Sequence, residues 1–426
     1  MSFAKFEPRK FLLSLFQAAV DAASAGICVP PNLPPAPAGR TIVVGAGKAA
    51  AAMAKAVEDH WQGPLSGMVI TRYGHGAPTR SVEVVEAGHP VPDEAGQAAA
   101  ARMLQSVQNL TPEDLVLALI SGGGSSLFAL PAHGLTLSDK QAVTRALLAS
   151  GAPIADINCV RKHLSAVKGG RLALAAQPAA VASLIISDVP GDDPAIVASG
   201  PTVPDPTTRE QALVILQSYK IAIPRAVDAW LRNPASETPK PADPAFARVQ
   251  SRVVSRARDA LAAAAQKIEA QGFSVIDLGD AVQGEAREVA REHAQLALAY
   301  AREGRACVLL SGGETTVTVR AKGRGGPNSE YLLALAIALE GRPGIWAIAC
   351  DTDGIDGTET NAGAIVAPDT LARARQRGAD AKAALAGNDA YGFFQALGDL
   401  VETGPTRTNV NDLRAILIGA DSALTA

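Results

Sequence analysis

TIVVGAGKAAAAMAKAVEDH, residues 41–60, passes from four β-rich apolar residues through a glycine turn into an alanine-rich amphipathic run. That succession reads as strand, tight turn and helix, half of a βαβ unit. Short apolar runs recur at 68–71 (MVIT), 115–120 (LVLALI), 183–187 (SLIIS), 306–310 (ACVLL) and 345–350 (IWAIAC), each ending near Gly, Ser or Asp. Runs almost uninterrupted by polar residues suit strands covered on both faces, as in parallel sheets. The fold class expected is therefore α/β, with mostly parallel sheets.

A chain of 426 residues exceeds one ordinary core, which points to two domains. Hydrophobic residues make up 48% and aromatics only 4%, so close packing of helix on sheet is expected rather than aromatic clusters. The 39 basic and 42 acidic residues leave no basic field of the kind nucleic acid requires, and no nucleic-acid partner is expected. The four cysteines form no C-x-x-C pair and the six histidines no cluster, which argues for a reducing compartment and against zinc.

FLLSLFQAAV (11–20) resembles a secretory signal, but Phe11, Leu12, Leu15, Phe16, Ala19 and Val20 fall on one helical stripe, the mark of a helix docked on a core. No apolar run reaches the roughly 20 residues of a membrane span, so no membrane association is expected. The proline-rich stretch NPASETPKPADPAF (233–246) is the best linker candidate, dividing the chain into domains 1–240 and 241–426.

Several loops carry chemistry. Gly45-Ala46-Gly47-Lys48 lets backbone approach a ligand at a helix start and adds a cation, which suits phosphate. It fits G-x-G-x-x-A, yet the next strand ends in Thr71-Arg72 instead of the acidic residue that would hold an NAD ribose, and it fits no Walker A pattern. Ser121-Gly122-Gly123-Gly124-Ser125-Ser126 can hold a carboxylate or phosphate through N–H groups and hydroxyls. Its echo, Ser311-Gly312-Gly313-Glu314, follows a second apolar run, and two such loops facing each other would make an interdomain cleft.

Lys162 stands among Arg161, Lys168 and Arg171, where helical spacing puts the latter three on one broad face. Asp188, at the end of an apolar strand, and Asp192 could ligate magnesium or accept a hydroxyl proton. Arg324, between glycines, can reach out of a tight loop toward phosphate or carboxylate, and Asn328 stands at the following helix start. Asp351 and Asp353 open a carboxylate-dense run that misses the EF-hand spacing and suits a metal-linked nucleotide or substrate contact.

Taken together, VVGAGKAA, LISGGGSS, DINCVRKHLSAVKGGRLA, SDVPGDDPAIVASGPT, LLSGGETTVTV, GRGGPNSE, DTDGIDG, NDAYGFF and GPTRTNVND closely resemble the class II glycerate 2-kinases with their C-terminal MOFRL region, here about 305–418. The likeness spans roughly residues 10–418. It implies two Rossmann-like three-layer domains facing a cleft, dependence on ATP and Mg2+, and conversion of D-glycerate to 2-phosphoglycerate in the cytoplasm, a homodimer being allowed. The family's lysine falls on Lys48 and its arginine on Arg324. On this reading the 121–126 loop with nearby cations holds the glycerate carboxylate, and Asp188 or Asp192 engages magnesium or the attacking hydroxyl. Two departures stand out: Pro327 replaces a second arginine, and Ala390 a frequent serine. The alternatives are an NAD(P)H-dependent hydroxypyruvate reductase, a label relatives have carried, and a non-catalytic sugar-acid or phosphate sensor.

Overall fold

In the computed structural model, which describes residues 6–419, the stretch 41–60 folds as its pattern requires. Thr41–Ala46 is strand β1, buried throughout, and Ala50–His60 is a helix. Around it lie β2 (Leu65–Arg72), β3 (Val82–Ala87), β4 (Leu115–Ser121), β5 (Ala180–Ile186) and β6 (Val249–Ser255). The sheet order is β3-β2-β1-β4-β5-β6, and every pair from β3 through β5 is parallel. In this doubly wound order the winding reverses between β1 and β4, so their C-terminal ends open a crevice. Val44, Ile70, Val116, Ala118 and Met103 fill one core of the unit.

The second sheet gathers β7 (Ser274–Asp277), β9 (Cys307–Ser311), β11 (Ile345–Asp351), β12 (Gly363–Val366), β13 (Leu400–Val401) and β14 (Asp412–Ile418). Two dipeptide strands, β8 (Gly284–Glu285) and β10 (Thr315–Thr316), form a small parallel ribbon beside it. The chain is thus α/β with two main sheets, and parallel pairing prevails over the whole. The second sheet departs from that rule: only β7 and β9 run parallel, while β9, β14, β11, β12 and β13 alternate in direction. A strand buried on both faces carries the same apolar signature in either direction, which is why ACVLL and IWAIAC did not reveal theirs. The alternating run TTVTVR (315–320) is a strand only at Thr315–Thr316, and Val319 beyond it is exposed.

Two compact units result: residues 25–254, and residues up to Ser24 together with Ser255 onward. The helix Pro8–Ala22 buries the six residues of its expected stripe. It does so within the second unit, against the helix Ala257–Ala270 and strands β11 and β14. Phe11 stacks on Phe273 at 5.7 Å, and Arg9 pairs with Asp399 at 3.0 Å, so the first helix leaves the 1–240 segment to which sequence order assigned it.

The stretch 233–246 is not a linker. Ser236 and Thr238 are buried, and the Arg171 guanidinium donates to the carbonyls of Ala235, Ser236 and Glu237. Prolines that cannot join a ladder are fastened to the first unit through their neighbours' carbonyl oxygens.

Candidate active site

At the C-terminal ends of β1 and β4 the first two glycine loops are one hydrogen-bonded structure. Lys48 N–H donates to Gly122 O at 2.8 Å, Ala49 N–H to Ser121 Oγ at 3.0 Å, and Gly47 N–H to Ile70 O at 3.1 Å. Gly47 adopts φ +140°, and a Cβ there would lie 2.1 Å from Ser121 Oγ, so no other residue lets β1 turn this close to β4. Gly45 packs against the backbone of Leu119. Gly123 lies against the Lys48 stem and the His89 ring, and Gly124 starts a single helical turn, Gly124–Leu127.

Ser125 and Ser126 open this loop onto a pocket of about 310 Å3 whose charged lining is Lys140, Arg145, Arg161 and Lys168, without a carboxylate. Lys168 is fully buried and its Nζ donates to Ala198 O at 3.3 Å; Ser125 Oγ meets Ser199 Oγ at 2.8 Å, and Ser199 reaches Asn158 Oδ1 at 3.2 Å. Ala198 and Ser199 both hold positive φ, a strained backbone kept in place by these contacts. Burial drives the Lys140 ammonium down to about 7, with Arg161 adding repulsion, and drives Lys168 well below the usual lysine range. Two larger hollows, about 620 and 560 Å3, lack this convergence of charge; the second lies at the N-terminal ends of β4 and β5.

Lys162 is taken out of this group, with its Nζ 3.4 Å from the buried Asp205 Oδ1. About 100° of rotation per helical residue separates it from Arg161, which does face the pocket. Arg171 is spent on the 235–237 carbonyls. Asp188 and Asp192 follow β5, both half-buried, and Asp192 sits in the left-handed region with φ 55°. Asp193 caps a turn through Ala195 N–H.

In the second unit the end of β9 meets the start of β14, Ser311 standing opposite Arg414. Arg414, fully buried, donates to Gly312 O and Gly313 O and forms a short ion pair with Asp412. Burial outweighs Arg414 and pushes Asp412 up to about 6. Asn328 Nδ2 donates to Asp412 Oδ1 at 2.7 Å, while the N–H groups of Asn328 and Ser329 converge on the buried Asp356, whose carboxyl is raised by desolvation. Gly326 packs on that same carboxylate, where a Cβ would come within 2.3 Å of Oδ1.

Arg324 is half exposed; its guanidinium bonds Glu359 at 2.6 Å and lies 4.2 Å from the Tyr391 ring centre. Glu314 is exposed. Asp351 Oδ1 accepts from Asp353 N–H and Asp353 Oδ1 from Ile355 N–H, both shaping the 351–355 turn. Among the described residues no group of three or more His, Cys, Asp or Glu could by itself hold a metal.

Arg414, Lys140 and the Glu330–Arg287 ion pair at 2.5 Å carry no sequence signal. Lys140 sits in an ordinary amphipathic helix, and only packing shows its burial.

The fold and these loops have counterparts. The DUF4147 family, described as a domain of unknown function, matches residues 11–232, and the MOFRL family matches 307–412. The D-glycerate 2-kinase of Thermotoga maritima is 40% identical over 96% of this chain and 98% of its own. The chain belongs to the class II glycerate 2-kinase family. The crystal structure of a glycerate kinase from Thermotoga maritima matches with a TM-score of 0.87 at 39% identity, covering 96% of this chain and 99% of that one. A relative from Agrobacterium vitis, 54% identical over 98% of this chain and 96% of its own, carries a provisional hydroxypyruvate reductase name. Membership of this kinase family gives the chain a small-molecule substrate and a nucleotide. No single helix among the described residues is long and apolar enough to cross a membrane.

Proposed function

We propose that this protein is a cytoplasmic D-glycerate 2-kinase that uses ATP with Mg2+. The observation that carries the reading is the joined loop pair at the switch point of the first sheet. Lys48 and the Ser125 and Ser126 hydroxyls gather there beside a pocket whose charged lining is basic throughout. Phosphoryl transfer asks for alignment and positive charge more than covalent chemistry. The glycerate 2-hydroxyl oxygen bonds to the γ-phosphorus as the bond to the β–γ bridging oxygen breaks, ADP leaves, and the hydroxyl proton passes to a carboxylate or solvent.

Lys48 and Arg324 supply cations to the transferred group. The 121–126 loop and the Ser311–Gly313 turn, with Glu314 and Asn328 beside it, are the proposed binding elements for the reactants. Mg2+ needs few protein oxygens when nucleotide phosphates supply others, so Asp188 with Asp192 fits as a donor pair, Asp188 being also the candidate acceptor of the hydroxyl proton. Asp351 and Asp353 are the corresponding donors in the second unit. Magnesium would screen phosphate charge and help to orient the nucleotide.

A reductase reading lacks support, since β2 ends in Thr71 and Arg72 with no acidic residue for a nicotinamide nucleotide's ribose. Incubation with D-glycerate, ATP and Mg2+, in parallel with hydroxypyruvate and NADH or NADPH, separates the two. The proposal requires ADP and a phosphate ester at the 2-position in the first mixture. Nucleotide oxidation in the second without phosphorylation in the first overturns it.

A further inference from the structure

The family's activity leaves open which reactant the cationic pocket of the first unit receives. We propose that it seats the nucleotide, with the polyphosphate on Lys140, Arg145, Arg161 and Lys168 and the Ser125 and Ser126 hydroxyls, and the base against the apolar wall. The inference rests on the kinase reading and deepens it.

Charge is the first argument. Four cationic side chains line the pocket and no carboxylate faces them there. A three-carbon hydroxy acid brings one negative charge and would leave most of this lining uncompensated, whereas a triphosphate matches it. Lys140 sharpens the point: it is only 7% exposed, its Nζ has no hydrogen-bond partner among the described residues, and its ammonium is destabilised to about 7. A buried ammonium without a counter-ion is a large expense for a fold unless an anion arrives to meet it.

Shape is the second. Pro90, Val91, Pro92, Leu137 and Leu148 supply an apolar wall, and Val91 and Leu148 leave 61% and 56% of their surface in water. Glycerate has no apolar face to cover them; a purine does. At about 310 Å3 the volume also suits a ligand larger than a three-carbon acid.

Position is the third. Ser125 and Ser126 belong to the loop that packs on Lys48 through Gly123, so a phosphate chain anchored in the pocket runs toward the proposed catalytic lysine. Lys168 and Ser125, both in the lining, are tied to the strained Ala198–Ser199 segment, which restrains their side chains.

The test uses the full chain and the variants Lys140→Met, Arg161→Ala and Arg145→Ala, the last on an exposed side chain whose loss the fold tolerates. ATP, and separately inorganic tripolyphosphate, are titrated by calorimetry without glycerate, and KM is measured for each substrate in turn. Binding of ATP and its KM should weaken about tenfold or more in each folded variant, while the KM for glycerate holds. Tripolyphosphate should bind the wild type and lose affinity in parallel. Unaltered ATP binding in the folded Arg145→Ala and Arg161→Ala proteins overturns the assignment, as does a rise in the glycerate KM alone, which would give the pocket to the acid. If the wild type binds ATP through these residues but forms no phosphoglycerate, the pocket assignment stands and the kinase reading falls.

Discussion

Gly47 shows how much one missing methyl group decides. Its φ of +140° and the 2.1 Å that would separate an added Cβ from Ser121 Oγ mean that Gly47→Ala must push β1 and β4 apart where their loops join. The backbone conformation alone is worth about 1–3 kcal/mol, so the variant is expected to lose at least that in urea unfolding and to lose turnover as well. The roles proposed for Lys48 and Arg324 rest on charge rather than shape. Lys48→Ala and Arg324→Ala are each expected to lower kcat by about 10²–10³ with thermal stability nearly unchanged, by analogy with lost transition-state donors. Near wild-type rates in both would remove these two residues from the mechanism. Both stand out in the sequence as candidates because a cation set among glycines is an unusual local pattern. Lys140 and Arg414 do not, since what distinguishes them is burial, which depends on elements far away in sequence.

Helices and strands reported their existence more faithfully than their partners. The stripe Phe11, Leu12, Leu15, Phe16, Ala19, Val20 foretold a docked helix, but not that it docks on the helix Ala257–Ala270 and on β11 and β14. Phe16→Ala empties a buried aromatic site there and should cost about 3–5 kcal/mol in denaturant unfolding.

The edge where β1 and β4 begin depends on a carboxylate. Asp114 accepts from Arg40 N–H at 2.7 Å, Arg40 Nη2 at 2.8 Å and Thr111 N–H at 2.8 Å, and the Arg40 guanidinium, foremost among these, holds its carboxyl well below the ordinary range. A depressed carboxyl stabilises the fold above its unfolded value of about 3.9 and loses that contribution as pH falls below it. Asp114→Asn should therefore lower the Tm at pH 7, and the gap from wild type should narrow as pH drops through about 4 and below. A gap independent of pH would mean that shape rather than charge matters at this edge.

Over the whole chain, the first unit is continuous in sequence and the second is not. Residues 25–254 contain a complete six-stranded order and their own core, so this fragment alone is expected to unfold cooperatively. Residues 255–419 alone lack the helix Pro8–Ala22. They are expected to be markedly less stable than the same segment supplied with residues 1–24, which a thermal melt of fragment with and without that peptide will read. Equal melting temperatures would show that the helix is dispensable to the second unit.

The amino-acid sequence by itself determined the alternation of strand and helix, the apolar stripes and the glycine loops at strand ends, because these follow from periodicity and backbone sterics within a few residues. Tertiary structure alone decided that β1 and β4 lie side by side at the switch point, that β14 enters the second sheet antiparallel, that the first helix belongs with the last strands, and that Lys140 and Lys168 are buried behind Ser125. Each of these depends on which surfaces meet across tens to hundreds of residues, and burial, charge compensation and pKa arise only when they do.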